Sequence, residues 1–312
     1  MLFVTGITGF IGKHLIKRLL SDGHKITCFV KDDDVAGISF LEDFDVEVIK
    51  GDIRDEKSVK ATFDKCKGIQ AVIHLAAIIK PGPGGDKEFI DVNVNGTTYL
   101  VQECERRGIK RFVFYSTDFV IYDYHNIYGD SKADAEKVLK ASKLDYTILR
   151  PTPVYGPGDD KNFDTLFNLV RKFPIVPSVS CIMQPVHVKD VVEATVAVLN
   201  NKKTYRKEYN LAGGSAVSFS QIVKLLAKEM GHTRLIIRVP NLLMRTAVRT
   251  YERIAPHPIV RDYQISKWMI NKELSIEENR KDFGYTPITF EQGMSDTMRA
   301  IGISKNKSGN SD

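Results

Sequence analysis

Six short runs in the first half of the chain, LFVTG, KITCFV, VEVIKGD, AVIHLAA, RFVFYST and YTILRP, are apolar almost throughout, and each precedes a segment with helical periodicity. A strand that buries one face alternates apolar and polar residues, whereas a strand apolar on both faces must be covered on both. Strands of the second kind alternating with helices predict an α/β chain with a doubly wound parallel sheet, because right-handed crossovers lay helices over both faces. At 312 residues there is room for such a domain and a smaller companion.

The junction of the first strand and first helix reads FVTGITGFIGKHLIKRLL, with Gly6, Gly9 and Gly12 spaced G-x-x-G-x-x-G. Glycine there lets the backbone approach a pyrophosphate, and the helix N-terminus offers it free N–H donors and a partial positive charge. A dinucleotide-binding, Rossmann-type sheet follows. The second strand ends FVKDDD, where such folds read the adenosine ribose. Lys31 would pair with the 2′-phosphate of NADP, while the aspartates behind it would accept from the 2′-hydroxyl of NAD, so NADP is preferred but NAD stays open. In GDIRD, Asp52 is offered to the adenine amino group, although Asp after Gly is also ordinary turn chemistry.

After Pro151 the rhythm breaks: Pro153, Pro157, Pro174, Pro177 and Pro185 intervene before VKDVVEATVAVLNN resumes a helix. The expected division is a cofactor domain of residues 1–152 with a return segment 183–212, a smaller α+β substrate lobe of 153–182 and 213–303, and a disordered polar tail at 304–312.

Other classes are set aside by composition. The net charge of +6 is spread out, with no Lys/Arg run that would fit nucleic acid. Cys28, Cys66, Cys104 and Cys181 stand far apart without a C-x-x-C pair, and no H-E-x-x-H or H-x-H occurs, so reduced buried thiols and no metal are expected. MLFVTG starts a strand at once, leaving no space for a signal peptide, and no apolar run reaches the ~18 residues of a membrane span. A cytoplasmic protein with a small-molecule substrate is the expectation.

The motifs TGITGFIG, GDIRD, HLAA, NVNGTTYLV, RFVFYST, YGDSK, RPTPVYGPG, QPVHVKDVVEA and DFGYTPITFEQGM occur in this order over nearly the whole chain. Together they resemble the extended short-chain dehydrogenase/reductases, also called the NAD-dependent epimerase/dehydratase family. The resemblance implies a hydroxyl at Thr117, a catalytic Tyr128 and Lys132 four residues on, with Tyr128 and Lys132 also touching cofactor. It implies further cofactor contacts from Thr8, Phe10 and Ile11 in the glycine turn, Ile53 after Asp52, Leu75, Ala76 and Ala77 in HLAA, and Pro151 and Val154 in RPTPV. His74 reads as a packed core residue, and Asn95 as a brace for the active-site helices or a turn former. Many members pair as homodimers through two long helices, and the same is expected here.

Physically, Thr117 ends the fifth strand at the sheet's carboxyl edge, where ligands of such folds bind, and Tyr128 and Lys132 share a helix face. A free tyrosine titrates near ~10, so neutrality is about 3 units or ~4 kcal/mol away. A neighbouring ammonium supplies ~1 kcal/mol in water but ~4 kcal/mol at an effective dielectric of 20, so Lys132 is expected to lower the phenol only in a partly dry site beside an oxidised nicotinamide. Tyr128 would exchange the proton, Thr117 would bond the same oxygen, and Lys132 would hold the ribose. Only ten residues separate Thr117 from Tyr128, fewer than in most of the family.

The substrate is less determined. Sugar-nucleotide epimerases of the family usually carry an arginine four residues before the histidine of HV-x-D, and Met183 stands there, before His187. A thioether cannot bind phosphate, and QPVHVKD resembles the hydroxysteroid-dehydrogenase and dihydroflavonol-reductase branches. Asp118 is followed by Phe119 where sugar dehydratases pair the aspartate with a glutamate. The expected reaction is hydride transfer between NAD(P) and a secondary alcohol or ketone; a nucleoside-diphosphate-sugar 4-epimerase with tightly bound NAD, or a non-catalytic cofactor-binding assembly protein, are the alternatives. Arg238, Arg245, Arg249 and Arg253 admit three readings: a replacement phosphate partner, contact with an anionic membrane over Leu242, Leu243 and Val248, or the wet side of an amphipathic helix.

Overall fold

The computed structural model describes residues 1–159, 163–255 and 270–302. The polar tail lies outside them. The chain forms two compact units, one made of Met1–Pro151, Val191–Leu211 and Ile276–Tyr285, the other of Thr152–Asp190, Ala212–Ser275 and the chain from Thr286.

The first unit is built on seven strands: β1 (Leu2–Thr5), β2 (Ile26–Val30), β3 (Glu47–Lys50), β4 (Ala71–His74), β5 (Arg111–Tyr115), β6 (Asp145–Pro151) and β7 (Lys207–Leu211). They stand in the order β7-β6-β5-β4-β1-β2-β3, and every neighbouring pair is parallel. Strands β1, β2, β4 and β5 are buried at every position, as their unbroken apolar runs require. Phe3 and Phe63 pack with ring centroids 4.6 Å apart in one core layer that also holds Phe112 and Phe114. Each such ring contributes roughly 1.5–3 kcal/mol by leaving water. The one cation in these four strands, Arg111, is buried but donates to Leu199 O at 2.7 Å, Thr147 Oγ1 at 2.9 Å and both the Asp145 and Val198 carbonyls at 2.6 Å. Its guanidinium therefore bolts β5 to β6 and to the end of the helix before β7.

Helix α1 (Phe10–Ser21) follows β1, α2 (Gly96–Arg107) precedes β5, and α3 (Ile127–Ala141) precedes β6. Because β1 and β4 are neighbours while the chain leaves β1 toward β2, their carboxyl ends flank the point where strand order reverses, the usual ligand crevice of open α/β sheets. Thr5 and His74 are register partners there, and His74 pairs onward with Phe114.

The sequence reading places 213–303 in the lobe, whereas Ile276–Tyr285 packs with the sheet. Its Asp282 carboxylate accepts from Lys207 Nζ and Tyr209 Oη, both at 2.6 Å, and Asn279 donates to the Asn210 carbonyl at 2.9 Å.

The second unit is a smaller α+β body. Ile175–Ser178 and Leu235–Arg238 pair in parallel, Ile182–Met183 and Val217–Ser218 antiparallel, and Val154–Tyr155 pairs with Val186–His187. Two of its helices start in capping boxes, Ser218 with Gln221 and Thr289 with Gln292, each side chain bonding the other residue's backbone N–H. Tyr155, Phe163, Ile222, Leu226 and Met294 are among the residues of its core. All four cysteines are buried and free.

Candidate active site

The glycine turn divides its work among three positions. Gly6 has φ +72°, and a Cβ there would lie 2.4 Å from the Ala76 nitrogen, so the turn is pressed against the HLAA segment. At Gly12 a Cβ would lie 2.2 Å from the Ile7 carbonyl oxygen, so this glycine seats α1 on the strand. Gly9 is the N-cap of α1; it has no side chain to cap the helix, and the first turn carries no acid. The twelve-residue helix thus presents uncapped N–H groups and its positive end at the crevice, with half-buried Thr8, Phe10 and Ile11 around it. A dinucleotide's pyrophosphate fits these donors, and the small, partly exposed Ala76 and Ala77 leave room beside them.

The contrast between Gly6 and a permissive glycine makes a measurable prediction. Gly6→Ala is expected to destabilise the chain by about 3 kcal/mol, the left-handed backbone adding roughly 1–2 and the overlap with immobile backbone at least as much again. Gly108, at φ +70° with nothing near its missing Cβ, supplies the control, and Gly108→Ala should cost only the first part. Denaturant midpoints of the two variants measure the difference, and equal losses would refute the packing role of Gly6.

Behind the turn runs a hydrogen-bonded chain that crosses three elements. The Ala76 amide donates to Thr5 Oγ1 at 3.3 Å, Thr5 Oγ1 lies 2.6 Å from His74 Nδ1, His74 Nε2 lies 3.0 Å from Thr97 Oγ1, and Thr97 donates to the Asn93 carbonyl at 2.6 Å. Since Thr97 spends its proton on Asn93, it must accept from His74 Nε2–H, which leaves Nδ1 to accept from Thr5. Burial, with the charge of Lys132 added, holds the His74 imidazole well below its usual range and so neutral, in keeping with that tautomer. His74 is a fully bonded strut.

Asn93, not Asn95, is the brace of the active-site helix. It is fully buried, accepts from the Ile78 amide at 3.0 Å, and donates to the Ile78 carbonyl at 3.2 Å and to Ser131 Oγ at 3.0 Å, while Ser131 Oγ donates to the Tyr128 carbonyl at 2.8 Å. Asn95 reaches only Asp91, at 3.4 Å. The cause is a π-helical turn at Ile90–Asn95, which widens the coil and rotates Asn93 inward.

Thr117 lies two residues past the end of β5 and is 5% exposed; its hydroxyl donates to Asp118 Oδ1 at 3.3 Å and accepts from the Phe119 amide at 3.4 Å. Helix α3 opens with Asn126 as its N-cap, accepting from the Gly129 amide at 2.9 Å, which sets Tyr128 in the first turn. Tyr128 is half-buried, edge-on to Phe119 with ring centroids 6.4 Å apart. Burial pushes its phenol up to about 12, against a hydrogen bond with Thr117 that draws it down, and the Asp118 charge adds to the rise. Desolvation outweighs the protein's own groups at this phenol; the lowering expected from Lys132 is tied to an oxidised nicotinamide beside it.

One turn on, Lys132 is 1% exposed, with Nζ 4.0 Å from the centre of the Phe114 ring. Burial pushes its ammonium down to about 7, while Glu136 works the other way. Glu136, one further turn along α3 and also buried, escaped the sequence reading. Burial raises its carboxyl, but Arg150 outweighs this and leaves it below the usual carboxylate range: Arg150 Nε donates at 2.8 Å, Arg150 Nη2 bonds it as well, and Lys140 lies at 3.3 Å. The spacing K-x-x-x-E in DSKADAE, with an arginine in the following strand, was the available signal.

The adenosine-end residues lie apart from this cluster. Lys31 Nζ pairs with Asp33 at 2.6 Å on the exposed end of β2. Asp52 accepts from Arg54 through both carboxylate oxygens, which holds its carboxyl below the usual range, and Ile53 contacts the helix at Gly96. Leu75 is partly exposed beside Ala76. Pro151 closes β6 opposite Leu211; Val154 belongs to the second unit, paired with Val186.

With this arrangement in view, the chain's kinship is plain: it belongs to the NAD-dependent epimerase/dehydratase family, whose model matches residues 2–212. It is therefore an enzyme, a nicotinamide-dependent oxidoreductase of that family. Sterol demethylase protein B of Methylococcus capsulatus is 31% identical over 269 residues, spanning 78% of each chain. Ceramide reductase of Caulobacter vibrioides is 28% identical, spanning 78% of this chain and 75% of its own. Among solved structures, the Bordetella bronchiseptica enzyme WbmG in complex with NAD and UDP superimposes with a TM-score of 0.78 at 18% identity, covering 99% of this chain and 97% of its own, which speaks for the fold.

Proposed function

We propose that the chain reduces a ketone on a hydrophobic small molecule to a secondary alcohol, with NADPH preferred over NADH. The observation that carries this is the grouping of the Tyr128 phenol with Thr117 and, one helical turn on, the buried Lys132, which together offer a ketone oxygen a proton donor, a hydroxyl and a nearby ammonium. At neutral pH the phenol, raised by burial, carries a proton it can give to a ketone oxygen, and the same group takes that proton back in the reverse reaction. A reduced nicotinamide, when bound, supplies the hydride to the carbonyl carbon.

Thr117 and Tyr128 hold the carbonyl oxygen, and Tyr128 Oη passes its proton there as the oxygen becomes an alkoxide. Lys132, poised at about 7, keeps a proton to return to the phenolate and donates to the cofactor ribose. The glycine turn Gly6–Gly12 and the N-terminus of α1 hold the pyrophosphate, Ala76 and Ala77 admit it closely, Asp52 and Ile53 meet the adenine, Lys31 meets the 2′-phosphate, and Pro151 flanks the carboxamide. The hydrophobic substrate class is supported by Met183, which is 4% exposed within the apolar core of the second unit where a diphosphate partner would need a cation. The names of the two relatives, a sterol demethylase component and a ceramide reductase, point the same way. We place the enzyme in the cytoplasm as a homodimer joined through α2 and α3.

Net oxidation of the reduced nicotinamide, followed by its absorbance, tests the reading. Hydrophobic ketones should drive net oxidation of NADPH faster than of NADH, and Lys31→Ala should narrow that preference by ~10-fold, as for the loss of one phosphate-pairing charge. Turnover of uridine diphosphate sugars without net redox change would instead make the chain a 4-epimerase and overturn it.

A further inference from the structure

Two adjacent elements of the second unit turn apolar side chains to solvent. In the small parallel sheet Ile175 faces Leu235 and Pro177 faces Ile237. Val176 points inward and is fully buried, whereas Ile175, Leu235 and Ile237 are 50%, 60% and 45% exposed. Helix Asn241–Ile254 begins three residues after the second of these strands, clipped to the end of the first by Asn241, which accepts from the Ser180 amide at 3.2 Å. Met244 and Val248 fill its inner face, yet Leu242 on one flank and Leu243 and Ile254 on the other, at ~100° per residue, are 78%, 61% and 77% exposed. A helix apolar on both sides is under-covered in a chain that stands alone.

The charges beside this face say what covers it. Arg249 and Arg253, seven and eleven residues after Leu242, share its line along the helix and are exposed, as is Arg238 at the strand's end. The helix carries three arginines against one acid, Glu252. Apolar side chains flanked by guanidinium groups match the acyl-headgroup boundary of an anionic bilayer, where the arginines pair phosphates as the leucines enter the hydrocarbon. A second copy docked by twofold symmetry would instead set this arginine-rich patch against an identical one. We propose that helix Asn241–Ile254, through Leu242, Leu243 and Ile254, seats the enzyme peripherally on an anionic phospholipid surface. The proposal does not depend on the substrate assigned above; only the activity control of its test does.

Vesicle flotation of the full chain provides the test. It should float with phosphatidylcholine vesicles doped with phosphatidylglycerol and much less with phosphatidylcholine alone. The triple variant Leu242→Glu/Leu243→Glu/Ile254→Glu should bind at least ~10-fold more weakly, and Arg249→Gln/Arg253→Gln by ~10-fold or more, with turnover of a water-soluble ketone unchanged in both. The second variant leaves the apolar face intact, so it tests the idea even if the glutamates impair folding. Failure of the wild-type chain to float, or equal flotation of the wild type and the arginine variant, would overturn the proposal. So would a wild-type dimer in sedimentation that the triple variant dissociates, which would assign the face to a second copy.

Discussion

Tyr128→Phe is expected to lower turnover by a factor of ~10² or more while leaving cofactor affinity within a few-fold of the parent, in line with the loss of a positioned general acid. The phenyl ring keeps its edge contact with Phe119, so the helix that carries it stays in register. What disappears is the proton donor. Thr117 alone cannot replace it, because an aliphatic hydroxyl can hydrogen-bond the oxygen but is far too weak an acid to surrender its proton. The pH dependence separates this role from a structural one. With the phenol at about 12 in the free enzyme, ketone reduction should show no loss attributable to Tyr128 between pH 6 and pH 9, and its alkaline limb should come from Lys132. Undiminished turnover in the phenylalanine variant would remove Tyr128 from the reaction, whatever the fold.

Much of this was open to a reader of the sequence, for identifiable reasons. Strands buried on both faces must be written in apolar residues, so β1, β2, β4 and β5 announce themselves, and a turn that presses backbone to backbone at Gly6 admits only glycine. Local spacing also puts Tyr128 and Lys132 on one face of α3. What stayed hidden depends on contacts distant in sequence. That Ile276–Tyr285 packs with the sheet rests on Asp282 meeting Lys207 and Tyr209, and no local pattern encodes such a meeting. The choice of Asn93 over Asn95 turns on a π-helical turn, for which NVNGT carries no recognisable mark. The height of the Tyr128 pKa and the depression of that of Lys132 are desolvation effects, and how dry a helix face becomes is decided by what packs upon it. The sequence locates these groups; tertiary burial sets their proton affinities.

That last point carries the second large effect. Lys132→Met is expected to abolish turnover and yet to stabilise the folded chain by about 1–3 kcal/mol at neutral pH, as happens when a buried charge gives way to an apolar side chain of similar length. Lys132 is 1% exposed, its ammonium sits over the face of Phe114, and that ammonium has fallen to about 7 from an ordinary 10.5. A base whose folded pKa lies below its unfolded one costs the fold most where both forms would be protonated, here below pH 7. Between pH 7 and pH 10.5 the unfolded chain binds a proton that the folded chain lacks, so stability attributable to this group rises with pH. The advantage of methionine should therefore be greatest at pH 6 and nearly gone by pH 10. Its upper bound is ~5 kcal/mol for 3.5 units, reduced by relaxation and by the lost contact with Phe114. Glu136 is not stranded by the change, because Arg150 and Lys140 still hold its carboxylate. Denaturant unfolding of the two proteins at pH 6, 8 and 9.5 measures the trend. A variant less stable than the parent at every pH would mean that Lys132 is a structural tie; one more stable at low pH and inactive would mean that the fold bears a buried cation for the sake of its chemistry.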